Sequence, residues 1–298
     1  MALTFLLFLV LSPPLAAAEA ILIGAGDIAK CGNRLAGAEA TAKVLDQFFA
    51  EFANAPGEQQ PAQAAIFTLG DNAYNRGTVR QFAECYDPTW GRHKQYTRPA
   101  VGNHEYQTRD ARPYFDYFGK AAGDPDKGYY SYDLGDWHIV VLNTVCVAVN
   151  GCGPGSPQHE WLVQDLKENP SRCTLAYMHH PLFSSGKHRG EPEIRPLVEA
   201  LYEAGAEVML AGHEHNYERF APQTPIGDFE PSRGIRQFVV GTGGRERRKF
   251  RKTVPHSEVR DRSTYGVLKL SLHPDSYDWE FIPIEGGEFR DSGSGQCH

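Results

Sequence analysis

None of the six cysteines stands in a C-x-x-C spacing, so the usual sequence sign of a zinc knuckle or a redox dithiol is missing. A membrane span is missing as well: it needs about twenty apolar residues, and the run from Ala2 to Leu11 is cut short by Pro13 and Pro14. Excess positive charge is also absent. With 30 Lys and Arg against 37 Asp and Glu the net charge is -7, which excludes a general binder of nucleic acid or anionic membrane. No heptads, internal repeat or low-complexity linker divides the 298 residues, so one domain is expected. At 41% hydrophobic and 22% charged the chain has ordinary globular composition.

The first residues, MALTFLLFLVLSPPLAAAEA, combine an apolar run, two prolines and the small residues Ala16, Ala17 and Ala18. This reads as a secretory signal peptide over residues 1–18, cleaved after Ala18, although no Lys or Arg precedes the run. The expected mature domain is 19–298, in a secreted or periplasmic protein without stable membrane insertion. An even number of cysteines suits such an oxidising compartment. Cys146 and Cys152 bracket the short loop VCVAVNGCG and are the expected local bridge. Cys31 with Cys85 and Cys173 with Cys297 are what remains, and sequence alone leaves that connectivity open. One stretch runs against the overall charge: RERRKFRK at 245–252 is either a solvated loop or, beside an active site, an attractor of anionic substrates.

Five apolar runs end in a polar or glycine-marked turn: ILIGAG at Asp27, AAIFTLG at Asp71, RPAVG at Asn103 and His104, TLAYM at His179, and EVMLAG at His213. Helical periodicity follows several of them, over 36–52, 79–86 and 194–205. Residues 129–144 and 265–284 read as hairpins turning at Gly135-Asp136 and near Pro274-Asp275. Strand–helix units mixed with hairpins predict two stacked sheets with helices outside, and ligands in such folds gather beyond the strands' carboxyl ends.

Taken in order, the turns are GDIA (26–29), GDNAY (70–74), GNHEY (102–106), MHHP (178–181) and GHEH (212–215). They bring aspartate, tyrosine, asparagine and histidine, a donor set for iron, manganese or zinc, with no thiolate for a softer metal. A lone GD is weak, since Gly135-Asp136 and Gly227-Asp228 are better explained as turns. Glycine before NHE and HEH is a stronger sign, because it permits the unusual backbone that aims two side chains inward.

Their order and spacing, from about Gly24 to Tyr217, resemble the calcineurin-like metallophosphoesterase superfamily and within it the purple acid phosphatase branch. The resemblance implies an α/β fold, a four-layer α/β/β/α sandwich with mixed sheets in a single domain, and a site for two metal ions: iron with zinc, manganese or a second iron. It implies Asp27, Tyr74 and His215 as ligands of the first ion, Asp71 as the bridge, and Asn103, His179 and His213 as ligands of the second. Tyr74 in GDNAY fits the purple branch. Ala29 departs both from the histidine frequent in the superfamily and from the GDxG of the branch. A phenol of pKa about 10 is a poor ligand unless a strongly acidic cation strips its proton, and iron(III) would do so, with visible colour. Two aspartates, a tyrosinate and a hydroxide then leave the site slightly positive, suited to a phosphate anion.

The implied activity is a secreted, metal-dependent phosphoric ester hydrolase acting on phosphate monoesters. A metal-bound hydroxide would attack in line, with His104 as the proton donor. The implied partner is a small phosphorylated substrate contacted by Asn103, His104 and His188, with no nucleic acid specificity and no predicted oligomeric state. His104 could instead only orient a ligand, and His188 could be a solvent-exposed loop residue. His180 is expected to turn away from His179 as a structural group, and Glu105 and Glu214 to accept supporting hydrogen bonds. The alternatives are a phosphodiesterase or nucleotidase with the same site, or a noncatalytic metal-bearing binding domain. The loops that would read the rest of the substrate, 75–96, 106–128 and 221–262, carry no recognisable key.

Overall fold

A computed structural model of the chain describes residues 20–54 and 63–298. The expected signal peptide, residues 1–18, lies outside them. The first strand, β1 (Ala20–Ala25), is apolar and buried at every position, as a strand covered on both faces must be. After it, α1 (Ala36–Asn54) buries Ala38, Thr41, Ala42, Leu45 and Phe49, a stripe at helical spacing that faces the sheet. Strands β2 (Gln63–Leu69) and β3 (Thr97–Ala100) lie parallel to β1 in register Ile23–Ile66 and Ile66–Thr97.

The middle of the chain builds a second sheet. The hairpin of β4 (Tyr130–Leu134) and β5 (Trp137–Val141) turns at Gly135, whose φ is 59°, as the sequence reading expected. Then come α3 (Pro157–Glu168), β6 (Cys173–Met178), α4 (Arg195–Glu203) and β7 (Val208–Ala211), with the short α2 (Arg112–Phe118) earlier in the chain. Strands β8 (Tyr217–Phe220), β9 (Arg236–Val240) and β10 (Ser257–Asp261) complete it, in the order β10-β8-β9-β7-β6-β5-β4. The C-terminal strands β11 (Gly266–Leu272), β12 (Ser276–Pro283) and β13 (Ser292–Gln296) return to the first sheet, ordered β13-β12-β11-β1-β2-β3.

Strand periodicity sorts the side chains between layers. From β5, β6 and β7, the residues Ile139, Val141, Leu175, Tyr177, Val208 and Leu210 point into the core shared with β1, β2 and β11. The alternate residues Val140, Ala176, Met178 and Met209 form a second core with Leu162 of α3 and Leu197, Val198 and Leu201 of α4. On the other side α1 packs on β11 and β12. The result is the α/β/β/α arrangement of mixed sheets.

Three disulfides join Cys31 to Cys85, Cys146 to Cys152 and Cys173 to Cys297, the pairing expected for the chain. Their sequence separations are 54, 6 and 124. Because a crosslink acts largely on the entropy of the unfolded chain, removing Cys173–Cys297 is expected to lower stability by about 5 kcal/mol and removing Cys146–Cys152 by about 2 kcal/mol. Urea unfolding of the two double-serine variants would show the difference. Equal losses would mean that native contacts, not loop closure, dominate.

Candidate metal centre

All five polar turns emerge from the carboxyl ends of parallel strands, and backbone hydrogen bonds dock them together. Asp27, Ile28 and Ala29 donate their N–H groups to the carbonyls of Gly70, Asp71 and Asn72 at 3.1, 3.0 and 3.0 Å. Ala29–Lys30 then pairs in parallel with Ala73–Tyr74. Ala29, the residue that departs from the motif, is therefore a buried strand position in this small ladder. The ladder brings three side chains to the Tyr74 hydroxyl, whose single proton lies between Asp27 Oδ1 at 2.6 Å and Asp71 Oδ2 at 2.9 Å, with His215 Nε2 at 3.3 Å.

The backbone is bent to achieve this. Asp27, Asp71 and His213 have φ of 59°, 51° and 67°, a region that costs a residue with a side chain about 1–3 kcal/mol and that collects at functional sites. Gly70 has φ 78°, and a Cβ there would stand 2.7 Å from His179 Nδ1 and 2.8 Å from Gly102 Cα. Only glycine fits between those turns.

The second group assembles opposite. His179 Nε2 is 2.9 Å from Asn103 Oδ1, 3.2 Å from His213 Nδ1 and 3.4 Å from Asp71 Oδ1. Asp71 thus faces both groups. Two of the histidines have their tautomers set by the backbone: His179 Nδ1–H donates to the Leu69 carbonyl and His215 Nδ1–H to that of Glu246, both at 2.7 Å. In its neutral form each ring therefore turns the Nε2 lone pair inward, the state a metal ligand needs.

A cation fits these donors on physical grounds. His179 Nε2 faces an amide oxygen, a carboxylate oxygen and a second imidazole nitrogen, a cluster of acceptors that a cation would satisfy. Asp27 Oδ2 is buried with no hydrogen-bond partner, and an unpaired buried carboxylate oxygen is costly unless something positive faces it. Asp27, Asp71 and His179 offer ligand atoms within 4.8 Å of one another, and so do His179, His180 and His213.

A family model described as calcineurin-like phosphoesterase matches residues 22–217, about two thirds of the chain and all five turns. The chain belongs to the calcineurin-like phosphoesterase family. This calcineurin-like phosphoesterase is 33% identical to purple acid phosphatase 21 of Arabidopsis thaliana over 49% of its own length and 34% of the relative's. It is 28% identical to acid phosphatase type 7 of Homo sapiens over 72% of its length and 56% of the relative's. It therefore spans 34–56% of the length of these curated relatives. The purple acid phosphatase PPD1 from yellow lupin (Lupinus luteus) seeds shares its fold, with a TM-score of 0.75 at 19% identity, over 95% of this chain and 54% of that one. GAP50, described as the anchor in the inner membrane complex of Plasmodium, does so with a TM-score of 0.70 at 13% identity, over 94% and 90%.

The other expected site residues of this calcineurin-like phosphoesterase fall around the same centre. His104 donates its backbone N–H to Asp71 Oδ1 at 2.9 Å, and its Nδ1 meets the Asn75 carbonyl, which leaves Nε2 3.7 Å from Asp71 Oδ2. The His188 ring lies 4.9 Å from that of His213. His180 does not turn away as expected. Its ring is 4.8 Å from His179 and 4.5 Å from His213, because the Thr144 hydroxyl at 3.0 Å from Nδ1 and a bond from His180 N–H to the same oxygen draw it inward. Thr144 follows β5, a sixth strand end that carries no motif in the sequence.

Glu105 and Glu214 are buried supports. Glu105 accepts the backbone N–H groups of Asp71, Asn72, Ala73 and Gly102 at 2.8–3.2 Å, joining two ligand turns. Glu214 Oε1 accepts those of His188 and Arg189. Arg245, inside the basic run, places its guanidinium 4.7 Å from the centre of the Tyr74 ring and donates its N–H to the Asp27 carbonyl at 2.8 Å. A cation over a phenol face is a contact that residue type alone could not reveal.

The electrostatics follow the same division. Burial opposes charge on Asp27, yet His215 brings its pKa down to about 2. Burial likewise opposes charge on Asp71, and His179 and His104 outweigh it and hold the carboxyl below the usual range. Burial, reinforced by both carboxylates, drives the Tyr74 phenol well above its ordinary value. Burial and then Asp71 push Glu105 up to about 7. Burial and then His179 bring His180 down to about 3, so that its ring is neutral.

Proposed function

We propose that this chain is the catalytic domain, residues 19–298, of an exported phosphoesterase that hydrolyses phosphate monoesters at a dinuclear centre. Asp27, Tyr74 and His215 would hold one ion, Asn103, His179 and His213 the other, and Asp71 both. The observation that carries this reading is the convergence of seven candidate ligands from five strand ends, with Asp71 between the Tyr74 and His179 groups and the buried Oδ2 of Asp27 left unpaired. Two cations held by these residues would supply Lewis acidity toward a phosphoryl oxygen and would acidify water. The chain's own groups do the rest. His104, partly exposed and anchored through Nδ1, turns Nε2 to the centre and in its charged form gives a proton to the leaving alkoxide. His188 and Asn103 would contact the phosphate oxygens, and Glu105 keeps the turns of Asp71 and Asn103 in register.

The purple acid phosphatases among its relatives support the monoester reading, and p-nitrophenyl phosphate tests it. Metal-loaded protein is expected to hydrolyse it faster than the bis-ester, and chelation is expected to abolish turnover. Hydrolysis of neither ester would sink the catalytic reading and favour a binding role, of which the fold shared with an anchor protein is a reminder.

Tyr74 bears on the metals, for which the reading is iron with zinc, manganese or a second iron. With both carboxylates holding its proton, only a strongly acidic cation displaces it. Purified protein is expected to absorb visible light, and Tyr74→Phe to lose the band. A colourless protein containing zinc or manganese alone would remove iron from the proposal and leave hydrolysis standing.

A further inference from the structure

Away from the metal centre, a second group of titratable side chains is buried where β4, β5, β6 and α3 meet. His138 of β5 is 3% exposed and lies in register with Asp133 of β4 on one side and Thr174 of β6 on the other. Its Nδ1 is 3.0 Å from Asp133 Oδ1, and its Nε2 is 2.9 Å from Asp165 Oδ2 of α3. Asp165 is itself buried, and its Oδ1 accepts the Ser131 hydroxyl of β4 at 2.7 Å and the Asn169 amide at 3.3 Å. Among the described residues neither aspartate pairs with a lysine or an arginine, which leaves His138 as the counter-charge of both. Ser131, Thr174 and Asn169 are polar but do not ionise. A neutral imidazole has one N–H and can donate to only one of the two carboxylates, whereas the charged ring donates to both.

The two elements joined by the His138–Asp165 contact meet again nearer the metal centre. There Gln158 of α3 bonds the backbone N–H and the carbonyl of Asn143, just past β5, both at 2.8 Å, beside the Thr144 hydroxyl that draws in His180. From these contacts we infer that His138 is a pH-operated latch: charged, it ties the β4–β5 hairpin to α3 through both aspartates, and once neutral it lets one of them go. The direction of its titration agrees. Burial opposes the charge, but the hydrogen bonds to Asp165 and then Asp133 outweigh it and raise the pKa above the 6.5 of an ordinary histidine. Such a group contributes its stability in full below the ordinary value and loses it as pH rises through the folded one, so the latch makes the domain firmest in acid. The inference does not depend on the hydrolytic reading.

Urea unfolding of the wild type, His138→Gln and Asp165→Asn tests it between about pH 5.5 and about pH 8.5, with equal metal content in all three proteins. Comparing each variant with the wild type at the same pH cancels the titrations that they share. At the acid end the folding equilibrium of the wild type is expected to exceed that of either variant by about tenfold, the scale of one charge-assisted hydrogen bond. That advantage is expected to shrink as pH rises. The His138 ring resonance, followed by NMR, is expected to titrate above the ordinary histidine range and to move down in Asp133→Asn. Asp133 has a largely exposed side chain, so this variant keeps the test open where the buried substitutions prevent folding. An advantage that is constant with pH, or a His138 midpoint at the ordinary value and unmoved in Asp133→Asn, overturns the inference.

Discussion

Asp71→Asn is expected to lower kcat/KM by about 10³-fold or more, and to reduce the content of both metals rather than one. The magnitude is the upper range for removing one preorganised charge-stabilising group, and the double loss follows from position. Asp71 contacts both halves of the centre, through Tyr74 at 2.9 Å on one side and His179 at 3.4 Å on the other. Asparagine has the same shape and still accepts the His104 N–H through Oδ1, so the turn is kept and the charge is lost. Elemental analysis with initial rates measures both effects. Two full equivalents of metal with near-normal turnover would remove Asp71 from the bridging role.

His104→Ala is expected to slow hydrolysis of an alkyl phosphate by about 10²–10⁴-fold, but to affect p-nitrophenyl phosphate far less, since nitrophenolate departs without a proton. This contrast separates a proton donor from a residue that only positions Asp71. The second role has a basis too, because His104 N–H bonds Asp71 Oδ1 at 2.9 Å. That bond comes from the backbone and survives the substitution, so a large loss confined to poor leaving groups identifies the side chain as the acid. Equal losses on both esters would assign it to positioning.

Four of the five turns were legible because they follow apolar runs that are largely buried, and a polar cluster at such an end has few structural uses, while the turn of Asn103 follows a short strand that includes the half-buried Arg98. The hairpins were legible from alternation and from Gly135 and Pro274. The structure also pairs the cysteines as expected. Contacts between distant segments were less accessible. The inward turn of His180 depends on Thr144, 36 residues earlier, and nothing in MHHP announces it. Arg245 reaches the Tyr74 ring across 171 positions, so its run could be noticed as basic but not placed. Glu105 and Glu214 act on backbone N–H groups, which every residue has, and no side-chain pattern reveals such partners.

The tripeptide His213-Glu214-His215 has a mechanical consequence. Its two imidazoles belong to opposite halves of the centre, while the glutamate between them grips the N–H groups of His188 and Arg189. Three successive side chains thus join the interior of the site to its outer rim through one short piece of backbone. Any displacement of that backbone on loading an ion would be passed to the loop of His188 and Arg189. Reciprocity then requires that an occupant of the loop alter the affinity for the ion by the same factor.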